Sequence, residues 1–163
     1  MRARLRLLLL PFVLLVLAQP AWAEVAVGKV VRVSDGDTLT LLVDQKQLKV
    51  RLIEIDAPES KQAFGERSRK SLGEMCAGQQ ATVRYSSRDK YGRLLGRVQC
   101  QGMDANAEQV RRGMAWVYDR YVTDRSLYAL QNDARATHLG LWADKTPTAP
   151  WVWRSQRKAA AKL

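Results

Sequence analysis

Short strand-like segments separated by polar turns constrain the fold of this 163-residue chain more than any other feature of its sequence. The first segment, Val25 to Val33, alternates valines with Lys29 and Arg32, which is the pattern of a strand with one buried face. The other segments are Leu39–Val43, Leu48–Ile55, Ala81–Tyr85 and Leu94–Cys100. Because tight turns join the first three segments, the sequence predicts an antiparallel meander followed by two further strands.

Three segments with helical spacing of their apolar residues lie between and after these strands. They are Gly65–Cys76, Ala105–Arg112 and Asp124–Leu139, and a glycine closely follows each one, as at the ends of many helices. Between the last two, Met114–Tyr118 predicts a short extended segment. Five short strands with helices between and after them predict an α+β, mainly β fold, namely a five-stranded OB-fold barrel with three helices.

The chain changes character after Asp144, where two prolines and two tryptophans occur within a few residues. These residues predict an extended tail that docks on the body through its aromatic rings; they are Pro147, Pro150, Trp151 and Trp153. The basic residues from Arg154 to Lys162 predict a loose end after this tail.

The first residues have the pattern of a secretory leader. Arg2, Arg4 and Arg6 form a positive region, Leu5 to Ala18 is apolar apart from Arg6, and Ala21-Trp22-Ala23 matches a small-x-small cleavage site. The run is short for a membrane-spanning helix, so a cleaved leader is favoured over an uncleaved anchor. The chain is therefore divided into a leader at 1–23, a domain at 24–145 and a basic tail at 146–163, with no stable membrane association once the leader is removed. Export to the periplasm or the external medium is expected.

The chain has two cysteines, Cys76 and Cys100. In an exported protein, an oxidising compartment favours a disulfide between them over two free thiols. Two thiols are too few for a cysteine zinc site, and a lone His138 argues against a histidine cluster or a histidine base. His138 is therefore interpreted as structural.

The chain is strongly basic, with 27 Lys and Arg against 16 Asp and Glu and a net charge of +11. This excess favours a polyanionic partner, with nucleic acid first and an anionic membrane surface second. A basic surface without a specific partner, or a structural protein of the cell envelope, would have the same composition. A single domain of this size is expected to be a monomer.

Three turns carry carboxylates and arginines. They are Ser34-Asp35-Gly36-Asp37-Thr38, the segment from Arg51 to Asp56-Ala57-Pro58-Glu59, and Asp89-Lys90-Tyr91-Gly92-Arg93. Carboxylate oxygens suit Ca²⁺ or Mg²⁺, and guanidinium groups suit phosphate oxygens. Each turn alone has an ordinary interpretation, since aspartate and glycine are common in turns and most glutamates are exposed.

Together and in this order, the three motifs resemble the staphylococcal nuclease family from about Val25 to about Asp144. The resemblance implies an OB barrel with three helices and a Ca²⁺-dependent nuclease that cleaves DNA and RNA to 3′-phosphate products. It implies that Asp37, Asp56 and the main-chain carbonyl of Ala57 hold Ca²⁺. Many relatives have threonine at the position of Ala57, so a side-chain contact is lost there.

The resemblance also assigns roles around the phosphate. It implies that Glu59 activates the attacking water, that Arg51 and Arg93 clamp the phosphate, and that the nucleotide pocket contains Lys90, Tyr91 and Tyr121. A second pocket tyrosine is replaced by Asp119, and Tyr118 one position earlier is a possible substitute. A non-catalytic OB-fold module that binds nucleic acid at the cell envelope remains the alternative.

One geometric condition follows from these assignments. In a straight strand residues 51 and 56 point to opposite faces, so Asp56 must lie beyond a bend or beyond the end of the strand.

The leader interpretation predicts that the exported protein begins at Glu24, because Ala21-Trp22-Ala23 is the small-x-small site that directly follows the apolar run. Intact mass of the exported protein measures this directly. Recovery of a membrane-bound chain that retains residues 1–23 would contradict the prediction.

Overall fold

The computed structural model describes residues 24–161, which form a five-stranded barrel surrounded by helices. The predicted leader at 1–23 lies outside the described residues. The strands are β1 Glu24–Asp35, β2 Thr38–Val43, β3 Lys46–Leu52, β4 Ile55–Asp56, β5 Gln80–Arg88, β6 Leu94–Cys100, β7 Met103–Asp104 and β8 Trp116–Val117. The helices are α1 Gly65–Cys76, α2 Ala105–Arg111, α3 Ser126–Ala136 and α4 Pro150–Ala160, with a 3₁₀ turn at Gly140–Ala143. Within residues 24–161 no helix is both long enough and apolar enough to cross a bilayer.

The barrel consists of β3, β2, β1, β5 and β6, with each of these neighbours antiparallel. A parallel pairing of β3 with β6 closes it, with Val50 beside Leu94 and Leu52 beside Gly96. Alternate residues of β6 are buried, as the period of a strand with one core-facing side requires. The predicted five-stranded OB-fold barrel is therefore confirmed.

The predicted third strand divides into two elements. The strand β3 ends at Leu52, and Glu54 adopts a left-handed backbone with φ of 66°. After this bend Ile55 and Asp56 form β4, which pairs with Val117 and Trp116 of β8. The chain therefore bends between Arg51 and Asp56. Asp56 lies beyond this bend and beyond the end of β3, as the roles assigned to the two residues require.

The bend at Glu54 is fixed by a buried ionic network. The Glu54 side chain is only 4% exposed and accepts hydrogen bonds from the backbone amides of Thr123 at 2.7 Å and Asp124 at 2.8 Å. Arg97 donates to the same carboxylate at 2.8 Å and also contacts Asp104. Burial raises the pKa of Glu54, but a hydrogen bond from the Thr123 hydroxyl, the two backbone amides and the Arg97 charge outweigh it and hold the pKa below its ordinary value.

A disulfide between Cys76 and Cys100 joins the end of α1 to the end of β6, with a Cα–Cα distance of 5.3 Å. Both residues are fully enclosed in the core. The bond therefore ties the first helix to the barrel wall.

The segment after Ala149 is helical, so the prediction of an extended tail with a loose basic end is wrong, and α4 is a fourth helix. The prolines were misleading because proline is well suited to the first position of a helix, which Pro150 occupies. The arginine, glutamine, lysine and alanine residues that follow are good helix formers. The predicted docking through aromatic rings does occur, since Trp151 and Trp153 are both half-buried.

The buried network predicts that Glu54→Gln lowers the free energy of unfolding at pH 7 by about 1–3 kcal/mol, because charged hydrogen bonds are lost. A carboxyl group whose pKa is lower in the folded than in the unfolded protein stabilises the fold at pH values above the unfolded pKa. This stabilisation is lost as the pH falls through the pKa of the folded protein. Urea unfolding measured from pH 7 to pH 3 should therefore show that the difference in unfolding free energy between parent and variant decreases below about pH 4.5. Glu74→Gln, at a 73% exposed side chain, is the control and should have little effect. An equal loss at both ends of the pH range would contradict this.

The disulfide closes a loop with a sequence separation of 24 and should stabilise the fold by about 3 kcal/mol in the chain-entropy model. Protein purified and denatured without reductant should contain no titratable thiol. Detection of two thiols per chain in that titration would disprove the pairing.

Candidate active site

The turn between β1 and β2 is locked against two helices. Asp35 Oδ1 accepts the amide of Asp37 at 3.0 Å, which makes a tight Asx-type turn. Gly36 packs so closely that a Cβ there would lie 1.8 Å from Ser68 Oγ of α1. Gln109 of α2 donates to the Gly36 carbonyl at 2.6 Å. The position of Asp37 is therefore set by packing as well as by its own turn.

Arg51 joins the two predicted metal-binding carboxylates. Its Nη2 lies 3.1 Å from Asp37 Oδ2 and 2.9 Å from Asp56 Oδ1, while its Nη1 donates to the Leu52 carbonyl at 2.6 Å. The amide of Ala57 donates to Asp37 Oδ2 at 2.6 Å. The side chains of Asp37 and Asp56 are only 8% and 2% exposed. Residues from β3, from β4 and from the β1–β2 turn therefore meet in one buried cluster.

A second arginine enters this cluster from α4. Arg154 Nη2 lies 2.7 Å from Asp56 Oδ2, and its Nη1 lies 3.2 Å from Asp56 Oδ1 and 2.7 Å from Glu59 Oε1. The hydrogen bonds to Asp56, followed by those to Glu59, hold the pKa of the Arg154 guanidinium above its ordinary value even though burial opposes this. Sequence reasoning missed Arg154 because it assigned the residue to a loose end.

The electrostatics of the cluster suit a hard cation. Burial raises the pKa of the Asp37 carboxyl to about 8, and the negative charges of Asp35 and Asp56 add to this while Arg51 opposes it. The side chains are oxygen donors of the kind that Ca²⁺ and Mg²⁺ prefer. Among residues 24–161 no group of three or more His, Cys, Asp and Glu side chains makes a complete metal cluster. Asp37 and Asp56 thus fit a cation that takes its other ligands from main-chain carbonyls and water, with Ala57 beside them.

Glu59 is held by Gln62. The Glu59 backbone amide donates to Gln62 Oε1 at 3.2 Å, and Gln62 Nε2 donates to the Thr148 carbonyl at 2.6 Å. The segment that carries Glu59 is therefore linked to the segment that leads into α4. Gln62 and Gln109 position these segments, and the sequence analysis did not find them, because a buried amide side chain has no periodic or spacing signature.

Arg93 lies on the neighbouring β5–β6 turn. Among the described residues the carboxylate that it contacts is Asp89, with Arg93 Nε 2.8 Å from Asp89 Oδ2. The β3–β6 pairing sets Leu95 beside Arg51, so Arg93 lies on the turn two residues before the strand partner of Arg51. The structure thus brings Arg51, Asp37, Asp56 and Glu59 into one set of contacts, and it places Arg93 next to that set with a different partner.

The predicted pocket residues form two separate groups. Lys90 Nζ lies 5.1 Å from the centroid of the Tyr91 ring, and Tyr91 is 71% exposed. Tyr121 is in the second group, where its ring meets Tyr118 edge-on at 5.0 Å. Trp151 of α4 stacks on Tyr118 with centroids 5.3 Å apart and planes 7° apart. Tyr118 therefore already has an aromatic partner.

Comparison with known proteins finds the same family that the motifs indicate. A family model described as "Staphylococcal nuclease homologue" matches residues 49–144. A protein of Escherichia coli described as an uncharacterized endonuclease is 44% identical over 149 residues, which are 91% of this chain and 97% of that protein. A micrococcal nuclease of Shigella flexneri is 43% identical over 159 residues, covering 91% of each chain. The staphylococcal-like nuclease CAN1 of Arabidopsis thaliana is 34% identical over 113 residues, which are 69% of this chain and 35% of that protein.

Proposed function

Because the chain belongs to the staphylococcal nuclease family, we propose that it is an exported Ca²⁺-dependent nuclease that hydrolyses phosphodiester bonds of DNA and RNA to 3′-phosphate products. The observation that carries the proposal is the convergence of Asp37, Asp56 and Glu59 with Arg51 in one cluster. The names of the relatives, endonuclease and micrococcal nuclease, support the same reaction class. The enzyme would act as a monomer in the periplasm or outside the cell.

Asp37 and Asp56, with the main-chain carbonyl of Ala57, would hold Ca²⁺. Their support is the burial of both carboxylates and the raised pKa of Asp37, since a divalent cation would balance the charge that burial disfavours. When bound, Ca²⁺ would supply positive charge to the phosphate oxygens of the substrate.

Glu59 would act as the general base. Its carboxylate would take a proton from the attacking water as the water oxygen forms a bond to phosphorus and the bond from phosphorus to the 5′ oxygen breaks. The leaving 5′ oxygen would take a proton from solvent, and Glu59 would return its proton to solvent, so the products would be a 3′-phosphate and a free 5′-hydroxyl. The half-exposed position of Glu59 supports this role, because a general base must reach water and substrate.

Arg51 and Arg93 would neutralise the charge that develops on the phosphate oxygens. Guanidinium groups fixed before the reaction stabilise such charge without reorganising during it, and Arg51 is fixed by the Leu52 carbonyl as well as by Asp56. Arg93 is 28% exposed and could exchange Asp89 for a phosphate. Lys90, Tyr91 and Tyr121 would contact the nucleotide, and exposed rings of this kind favour single strands or frayed duplex.

The proposal predicts that Glu59→Gln lowers the rate of DNA hydrolysis at saturating Ca²⁺ by about 10²- to 10⁴-fold, because the variant keeps its size but loses the basic carboxylate. Equilibrium binding of Ca²⁺ and of a nucleotide should change far less. Asp37→Ala should weaken Ca²⁺ binding and activity together, whereas Arg93→Ala should lose about 3 kcal/mol of transition-state stabilisation.

Two outcomes would contradict this assignment. If Glu59→Gln cuts DNA as fast as the parent, Glu59 is not the general base. If the parent binds DNA but does not cut it with Ca²⁺ present, the chain is a non-catalytic OB-fold binding module.

A further inference from the structure

Helix α4 lies against the candidate active site and contacts it at two points. Arg154 donates to both carboxylate oxygens of Asp56 and to Glu59. Three residues earlier on the same face of the helix, the Trp151 ring stacks flat on Tyr118. One contact is ionic and the other aromatic; Asp56 ends β4, whereas Tyr118 directly follows β8.

Both contacts occupy groups that the proposed nuclease would use. Each Asp56 oxygen already accepts a guanidinium hydrogen bond from Arg154, and Oδ1 accepts a second one from Arg51. A divalent cation at Asp56 would compete with Arg154 for these oxygens and would repel its charge at short range. Trp151 occupies the face of Tyr118 on which a nucleotide base could stack.

The helix itself is weakly anchored. Among residues 150–160 only Pro150 is buried, and most of α4 beyond Arg154 is exposed. A cavity of about 180 Å³ remains between the α4 segment and the body; its lining includes Pro58, Phe64, Trp116, Pro147 and Trp153. Segments with few buried apolar contacts open locally at low free energy. The Arg154 and Trp151 contacts therefore contribute much of what holds α4 in place.

We propose that α4 is an autoinhibitory strap, which Arg154 and Trp151 hold on the active site and which divalent cation binding at Asp56 releases. The inference rests on the proposed function, because it assigns Asp56 to the cation and Glu59 to the water. By linkage, if α4 docking weakens cation binding, cation binding weakens α4 docking by the same factor. Binding of the cation and of the substrate would therefore be coupled to release of α4 from the active site.

The first test measures Ca²⁺ affinity of the purified protein by calorimetry, for the parent and for Arg154→Ala. Apparent affinity is reduced in proportion to the fraction of open molecules, so a strap docked in about nine-tenths of molecules predicts about tenfold tighter binding in Arg154→Ala. Trp151→Ala should also bind Ca²⁺ more tightly. Arg157→Ala removes the same charge from the same helix, where Arg157 lies over the Trp153 ring at 5.0 Å, and should leave the affinity unchanged.

The second test measures hydrogen exchange of the parent with and without saturating Ca²⁺. Exchange of the α4 amides should become faster with Ca²⁺, while the barrel strands remain protected. Unchanged or slower exchange in α4 would overturn the strap.

The outcomes separate this inference from the proposed function. If the parent and Arg154→Ala bind Ca²⁺ equally, the strap is wrong while the Ca²⁺ site stands. If neither protein binds Ca²⁺, the metal site and the strap are both wrong. If Arg154→Ala loses cleavage with unchanged Ca²⁺ affinity, Arg154 binds phosphate and the strap is again wrong.

Discussion

Two buried carboxylates of like charge, Asp37 and Asp56, are the constraint on which the candidate site depends. Burial disfavours their ionised forms, which is the main reason that the pKa of Asp37 is raised to about 8. Their neighbours reduce this penalty, since Arg51 bridges both carboxylates and the Ala57 amide donates to Asp37. Buried ion pairs of this kind rarely stabilise a fold more than apolar residues would. The cluster is therefore better explained by the proposed chemistry than by stability.

The barrel brings these residues together by bending one strand rather than by extending it. Arg51 is inside the β2–β3 ladder opposite Thr38, so its backbone is fixed by the sheet. Asp56 follows the left-handed Glu54, whose carboxylate is held by Arg97 and by the backbone of Thr123. An ionic network that takes no part in the proposed reaction thus decides where Asp56 points. Disruption of that network would affect both stability and site geometry.

Sequence reasoning found the barrel and the main cluster because both have local signals. Strands with one buried face show alternation, and the Asp35–Thr38 and Asp56–Glu59 turns carry their carboxylates in recognisable motifs. It predicted one continuous strand from Leu48 to Ile55 and left open whether a bend or the strand end precedes Asp56, since no propensity marks Glu54 as a left-handed residue. It predicted an extended tail where α4 lies. Prolines and tryptophans occur in extended tails, but they are equally compatible with a helix that begins at Pro150. The contact of Arg154 with Asp56 spans 98 residues, and no local pattern encodes a pairing over that separation.

The net charge of +11 overstates how many cationic side chains are free to contact a polyanion. Arg51, Arg93 and Arg154 are each paired with carboxylates of the protein, so a phosphate at any of them would compete with an internal partner. The free-energy cost of replacing an internal partner is lower for a more exposed pair, because solvent screens exposed pairs and water can satisfy the groups that are released. The Arg51 side chain is 14% exposed and its partner Asp56 only 2%, whereas Arg93 and Arg154 are 28% and 36% exposed. In the proposed mechanism Arg51 would therefore be the fixed cation of the site, and Arg93 and Arg154 would be the two whose partners change when a cation or a phosphate arrives.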